Sequence, residues 1–103
     1  MSLSVVAVHG NGGGASRYEL VHPHLPDGVE LRAVTLPGFS TTPRDPDLTT
    51  LADYADRLAA MFDDLERPVL LGHGIGGSIA LDLASRRPEL LGGVILHSPV
   101  GAS

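Results

Sequence analysis

The sequence has 103 residues, a net charge of −5 and no cysteine, which fits one small domain or part of a larger one. The lack of cysteine excludes a disulfide framework, a thiol nucleophile and cysteine-ligated zinc. The seven basic residues are all arginine and are scattered, so we expect no nucleic acid partner. No apolar run reaches the roughly 18 residues that span a bilayer, and the N-terminus lacks a signal-peptide pattern. We therefore expect a cytoplasmic protein that does not associate with membranes.

The first half of the chain alternates short apolar runs with loops. Leu3–Val8 is rich in β-branched residues and predicts a strand. A glycine-rich loop over 9–14 follows, and then a short helical stretch around 17–24 that prolines interrupt. Val29–Leu36 predicts a second strand, and the Pro, Thr and Asp content of 37–48 indicates a loop.

The clearest helix is predicted over Leu51–Leu65, where apolar residues recur at spacings of three and four and form one stripe. Thr50 precedes it, and Asp53 follows three residues later. This pair resembles a capping box with Asp in place of the usual Glu. The acidic residues of the segment lie mostly off the apolar stripe, which predicts a solvated face.

The second half of the chain continues the alternation. Pro68–Leu71 is uniformly apolar, as is typical of a strand buried on both faces. A helix is predicted from about Ile75 to Arg87, where Pro88 stops it, and Gly93–His97 predicts a fourth strand. Strands separated by helices imply an α/β fold with a parallel sheet and right-handed crossovers.

A dense glycine turn joins the third strand to the following helix, and such turns have two chemical uses. In the nucleophile elbow G-x-S-x-G, small outer residues let strand and helix pass closely, and the central residue presents its side chain above the sheet. Gly72 and Gly76 occupy the outer positions here, and Gly74 occupies the centre. In the dinucleotide fingerprint G-x-G-x-x-G, the three glycines would be Gly72, Gly74 and Gly77.

The dinucleotide interpretation requires an acidic residue about 20 positions later to bind a ribose hydroxyl. The corresponding segment, 96–99, reads Leu-His-Ser-Pro and contains no acid. The fingerprint also usually follows the first strand of its fold, whereas two predicted strands precede this one. A glycine-rich connection without any chemistry remains a third interpretation.

Three segments together resemble the α/β-hydrolase superfamily over nearly the whole chain. VVAVHGNGGG, with its H-G-x pattern at 9–11, looks like the strand and oxyanion loop of that family. Thr35–Ser40 (TLPGFS) is similar to the family's D-x-P-G-x-G-x-S segment, with Thr35 in place of the usual Asp. The stretch from Pro68 to Pro99 looks like the elbow, its helix and the next strand. The resemblance implies a partial α/β-hydrolase fold, a three-layer sandwich with a mostly parallel sheet. Residues 1–103 would then form the N-terminal part of one domain whose lid and C-terminal strands are absent.

The same resemblance implies the site residues and the function. Asn11 and Ile75 match the two residues whose backbone N–H groups form the oxyanion hole, and Gly74 matches the nucleophile. Because glycine has no side chain, it cannot attack a carbonyl. The family's acid and histidine come later in chain order. Ser78, one turn into the helix, is interpreted as a packing residue rather than a replacement nucleophile.

We therefore expect a hydrolase-family protein that acts on ester-like or other carbonyl substrates, with this chain alone inactive. The alternative is a non-catalytic homologue that binds a small acyl or anionic ligand, or a protein partner. A dinucleotide-binding module is the third hypothesis. We expect no cofactor and no metal, and a small-molecule substrate or ligand. Because four strands would leave a hydrophobic sheet edge open, a second chain that completes the fold is a further expected partner.

Overall fold

Four parallel strands form one sheet in the computed structural model, which describes residues 3–10, 25–39 and 42–97. The strands lie in the order β2-β1-β3-β4, so the chain crosses from one side of β1 to the other after β2. This arrangement confirms the predicted α/β class and parallel sheet. The strands are β1 (Leu3–Val8), β2 (Val29–Val34), β3 (Val69–His73) and β4 (Gly93–His97).

Two helices follow the second and third strands. They are α1, Leu51–Met61, and α2, Ile75–Arg86, and one 3-10 turn at Pro88–Leu90 leads into β4. The helix predicted around 17–24 lies outside the described residues. Among the described elements, no helix is long and apolar enough to cross a membrane.

Both helices pack on one face of the sheet and enclose the core. In β1, Val6 and Val8 point to this face because alternate residues of a strand share a side. They are fully buried, as is Leu70, the β3 residue that pairs with Val6. The helices contribute a matching set of buried side chains, which are Ala55, Leu58, Ile79, Ala80 and Leu83.

The opposite face of the sheet is also apolar. Ala7 and Leu71 are register partners there, and Leu71 in turn pairs with Ile95 of β4. Ile95 is 55% exposed and Leu96, on the other face, is 37% exposed. The third layer of the predicted sandwich is not among the elements of the described segments, and β4 is an outer strand within them.

The bounds of β1 and β4 agree with the prediction, whereas β3 runs further than expected. It was predicted over Pro68–Leu71 and extends to His73. Gly72 and His73 belong to the strand because they pair with the last two residues of β4. Proline at 68 has no N–H to donate to a ladder, and the strand begins one residue later. In β2, pairing ends at Val34 instead of Leu36.

Helix α1 ends at Met61, four residues before the predicted end. Phe62 has φ −130° and donates its N–H to Ala59, three residues back, which tightens the last turn. Asp63 and Asp64 follow, and negative charge is unfavourable at a helix C-terminus. Asp64 instead accepts two hydrogen bonds from the guanidinium of Arg32 in β2, at 2.7 and 2.8 Å. The turn after α1 is therefore hydrogen-bonded to β2.

The predicted capping box at the start of α1 is confirmed. The Thr50 hydroxyl accepts from the N–H of Asp53, and the Asp53 carboxylate accepts from the N–H of Thr50. The same carboxylate also accepts from the N–H and the hydroxyl of Thr49. The hydrogen bonds from the backbone of Thr49, and then of Thr50, lower the pKa of Asp53.

We predict that Asp53→Asn lowers the melting temperature by a few degrees at neutral pH. A carboxyl whose pKa is lower in the folded state stabilises the fold above its unfolded pKa of about 3.9. This contribution is lost as the pH falls through the lowered folded pKa, so the difference from wild type should shrink below about pH 4. Thermal melts as a function of pH measure it. Asp63→Asn makes the same charge change on an exposed side chain and should show a smaller effect. A difference for Asp53→Asn that persists in acid would contradict the charge-based explanation.

Candidate active site

Two glycines allow the turn between β3 and α2 (the glycine turn, Gly72–Gly77) to pack against its neighbours. A Cβ on Gly72 would lie 2.6 Å from the Cα of Gly77, inside the turn itself. A Cβ on Gly76 would overlap the carbonyl oxygen of His9 and lie 2.6 Å from that of Val8. Both contacts are with backbone, which cannot move aside. Glycine is therefore required at 72 and 76 for α2 to begin against the end of β1.

Gly74 lies at the apex of the turn with φ 58° and ψ −125°. This combination of angles is sparsely populated by residues that carry a Cβ. Its N–H donates to the carbonyl of His97 at 3.1 Å. Its carbonyl accepts from the N–H groups of Gly77 and Ser78, at 3.0 and 3.2 Å. Gly74 is therefore fixed by hydrogen bonds to α2 and to the end of β4.

Ile75 is the first residue of α2, directly after Gly74. The first N–H groups of a helix have no acceptor within the helix, and the helix dipole adds partial positive charge there. Within the described segments, no backbone carbonyl accepts from the Ile75 N–H. The arrangement therefore places a hydrogen-bond donor beside the apex of the glycine turn, in a location suited to a carbonyl or anionic oxygen.

His9 is fully buried at the end of β1 and joins two loops. The Leu36 N–H donates to its Nε2 at 3.0 Å, and its Nδ1 lies 3.0 Å from the carbonyl oxygen of Gly10. Because a backbone N–H only donates, Nε2 must be unprotonated, and the ring proton is on Nδ1. The ring also packs on Phe39, with centroids 4.8 Å apart. Both ring nitrogens are thus used in holding the loops after β1 and β2.

Two further histidines stack at the carboxyl edge of the sheet. His73 and His97 end β3 and β4 and are register partners, with ring centroids 4.7 Å apart and an interplanar angle of 29°. A Cβ on Gly10 would lie 2.7 Å from the Nδ1 of His73, so the loop after β1 packs closely on this ring. No histidine in the described part of the chain is hydrogen-bonded to a carboxylate.

Two of the three predicted site residues, Gly74 and Ile75, are consecutive and lie at the apex of the glycine turn and the start of α2. Asn11, the other predicted oxyanion donor, lies outside the described residues. The roles assigned to these three residues remain predictions. Sequence reasoning missed the stacking of His73 on His97, although the two strands end at the same edge of a parallel sheet. It also missed the hydrogen bond from Leu36 to His9, which no sequence pattern indicates.

We predict that Gly74→Ser lowers the free energy of unfolding by about 1–3 kcal/mol, because serine pays a backbone strain at these angles that glycine avoids. Gly93→Ser in β4 is the matched control. Among the described residues, a Cβ there would meet only the Val69 side chain, at 3.9 Å, and φ lies outside the left-handed region. Chemical denaturation of both variants measures the difference. A Gly74→Ser protein as stable as wild type would argue against the strained geometry.

We predict that His9→Leu lowers the free energy of unfolding by about 1–3 kcal/mol, because it leaves the buried Leu36 N–H without its acceptor. His9→Gln is the matched variant, since a side-chain amide oxygen can accept the same hydrogen bond. It should recover part of the loss. Equal stability of the Leu variant and wild type would show that the hydrogen bond from Leu36 contributes nothing to folding.

Comparison with known proteins shows several related sequences. A pimeloyl-(acyl-carrier protein) methyl ester esterase of Aromatoleum aromaticum is 37% identical over 93 residues, which are 89% of this chain and 35% of that protein. A dihydrolipoyllysine-residue acetyltransferase component of the acetoin cleaving system of Cupriavidus necator is 33% identical, over 95% of this chain and 27% of that protein. The chain thus spans about a third of the length of these relatives.

A solved structure and a family sequence model also match this chain. The monoacylglycerol lipase of Paleococcus ferrophilus superimposes with a TM-score of 0.82 at 30% identity, covering 97% of this chain and 40% of the lipase. The sequence model of the alpha/beta hydrolase family matches residues 5–103 of this chain. The chain therefore belongs to the alpha/beta hydrolase family.

Proposed function

We propose that this chain forms the part of a hydrolase domain that binds the carbonyl of an ester-like substrate, with glycine in place of the nucleophile. The observation that carries the proposal is the conformation of Gly74. It lies at φ 58° and ψ −125° between two glycines that admit no side chain, directly before the first residue of a helix. This is the strand–turn–helix context that the elbow motif requires.

The proposed chemistry of the glycine turn is electrostatic. A carbonyl oxygen beside the turn would accept a hydrogen bond from the Ile75 N–H, reinforced by the dipole of α2. Asn11 is the proposed second donor. Such donors stabilise the negative charge that develops on a carbonyl oxygen during acyl transfer. They are backbone groups, so the glycine at 74 leaves them intact.

The proposed substrate class follows from the family and its named members. Two of the relatives are named as an esterase of a methyl ester and a lipase of monoacylglycerol. Both names describe cleavage of a carbonyl bonded to an alkoxy oxygen. We therefore propose a small-molecule ester, or a similar acyl compound, as the ligand of the glycine turn.

This chain alone is proposed to be inactive. Glycine supplies no nucleophile at 74. His9 uses both ring nitrogens in hydrogen bonds with the backbone, and His73 stacks on His97. A general base needs a ring nitrogen within reach of the nucleophile and a group that orients the ring. Within the described segments, no histidine is hydrogen-bonded to a carboxylate that could orient it as a base.

The second candidate function is a non-catalytic homologue that binds an acyl or anionic ligand. It is favoured by the same glycine, which supplies no reactive group, while the Ile75 N–H has no backbone acceptor within the described segments. The exposed apolar side chains of Ile95 and Leu96 on β4 support a second proposal, that further strands of this protein or a second chain complete the sheet. The dinucleotide hypothesis has less support, because β4 ends at His97 rather than at an acidic residue.

We predict that neither the wild-type chain nor Gly74→Ser hydrolyses p-nitrophenyl butanoate above the rate of buffer, since a serine alone has no base to activate it. In the same samples, butanoate should shift the amide resonance of Ile75 in a saturable manner, measured by two-dimensional NMR. Arg57, in the middle of α1, provides a control amide that should not move. A clear esterase rate from Gly74→Ser would overturn the proposed inactivity. An Ile75 amide that does not respond would overturn the proposed carbonyl site.

A further inference from the structure

Two imidazole rings meet at the carboxyl edge of the sheet, where two adjacent parallel strands end. His73 is the last residue of β3 and His97 is the last of β4, and the two are register partners. Their rings stack with centroids 4.7 Å apart and planes inclined by 29°. Because the two residues belong to different strands, only the pairing of the sheet brings their side chains together.

The nitrogens of this histidine pair (His73 and His97) are not engaged elsewhere in the described part of the chain. No hydrogen bond joins either ring to another residue there, in contrast to the buried ring of His9. His97 is exposed and His73 is partly buried, so the pair is open to solvent. A Cβ on Gly10 would lie 2.7 Å from the Nδ1 of His73. This nitrogen therefore packs against the loop after β1, and Nε2 is the one left for a ligand.

The spacing of the two rings suits a shared metal ion. Zinc binds histidine nitrogen at about 2.0–2.1 Å, so two nitrogens on one ion lie at most about 4.2 Å apart. Because the ring planes are inclined, one edge of the pair is narrower than the 4.7 Å between the centroids. The last side-chain torsion of histidine is broad, so a small rotation of either ring can bring both nitrogens to the narrow edge.

We propose that His73 and His97 together bind one divalent transition-metal ion such as Zn²⁺ or Ni²⁺. Imidazole is a preferred ligand of these ions, whereas Mg²⁺ and Ca²⁺ prefer oxygen. Among the described residues, no third histidine or acidic side chain joins the pair. Water or an oxygen of a bound ligand would therefore fill the remaining positions. The inference goes beyond the proposed function, which involves no metal.

The ion would strengthen the junction between β4 and the glycine turn. The Gly74 N–H donates to the carbonyl of His97 at 3.1 Å, and Gly74 directly follows His73. Metal bonds to the two rings would hold together the same two strand ends that this hydrogen bond joins. The ion would thus restrain the apex of the glycine turn.

The first test is calorimetric titration of the 103-residue chain with Zn²⁺, Ni²⁺ and Mg²⁺. Zn²⁺ and Ni²⁺ should each occupy one site per chain that Mg²⁺ does not occupy. In hydrogen-exchange measurements by NMR, Zn²⁺ should slow exchange of the Gly74 amide, since local opening of its hydrogen bond would also disrupt the metal site. The Arg57 amide, in the middle of α1, should be slowed by a smaller factor.

The second test compares matched histidine variants. His97→Phe keeps a ring that can stack on His73 but has no nitrogen. Loss of an outer partner of a zinc-binding histidine already costs about 10–100-fold in metal affinity, so His97→Phe should weaken Zn²⁺ binding by at least about tenfold. The control combines His22→Asn with His24→Asn, which removes two histidines near each other in the sequence and should leave the affinity unchanged. Thermal melts without metal should show that His97→Phe folds.

Each alternative outcome would contradict the metal site. Zn²⁺ binding that His97→Phe leaves unchanged would overturn the proposal, and loss of binding in the double variant would assign the ion to His22 and His24 instead. A wild-type chain that binds no Zn²⁺, or whose Gly74 amide Zn²⁺ does not protect, would also overturn it. None of these outcomes affects the response of the Ile75 amide to butanoate, so the carbonyl site is tested separately.

Discussion

Three backbone segments meet at the glycine turn with no side chain between them, and the position of the site depends on this contact. The start of α2 lies against the carbonyl oxygens of Val8 and His9 at the end of β1, because residue 76 has no Cβ. The end of β3 lies equally close to α2 at Gly72 and Gly77. A methyl group at either place would push the helix away from the sheet. The direction of α2, and with it the position of the Ile75 N–H, follows from these two glycines.

The buried ring of His9 extends this contact to the loop after β2. Its Nε2 accepts from the Leu36 N–H, and its face supports Phe39. Phe39 packs on Tyr54 of α1, so one imidazole links β1, the loop after β2 and the first turn of α1. The same two rings line an apolar cavity of about 250 Å³ between the first turns of α1 and α2. One set of contacts thus connects the strands and lines this cavity.

Sequence reasoning predicted the strands well and the contacts between them poorly. Periodicity and composition gave correct bounds for β1 and β4, because a strand that alternates or is uniformly apolar carries its own signal. Helix α1 was predicted too long because Leu65 continues the apolar stripe. The helix instead ends at Met61, and Asp64 in the following turn pairs with Arg32 of β2. That ion pair joins residues 32 positions apart, and local patterns carry no information about such partners.

The glycine motif predicted where the turn between β3 and α2 lies, and the structure supplied its geometry. The spacing of Gly72 and Gly76 was sufficient to predict the turn, since only glycine permits their close approaches to other backbone. The structural reason for glycine at 74 differs from the reason at 72 and 76. Gly74 donates its N–H to the His97 carbonyl, and its angles, φ 58° and ψ −125°, are the ones that make a side chain costly there. A serine at this position would carry that cost, so glycine favours the stability of the turn. In the proposed function, the backbone donor at Ile75 is the same with or without a side chain at 74, so binding of a carbonyl is separable from catalysis.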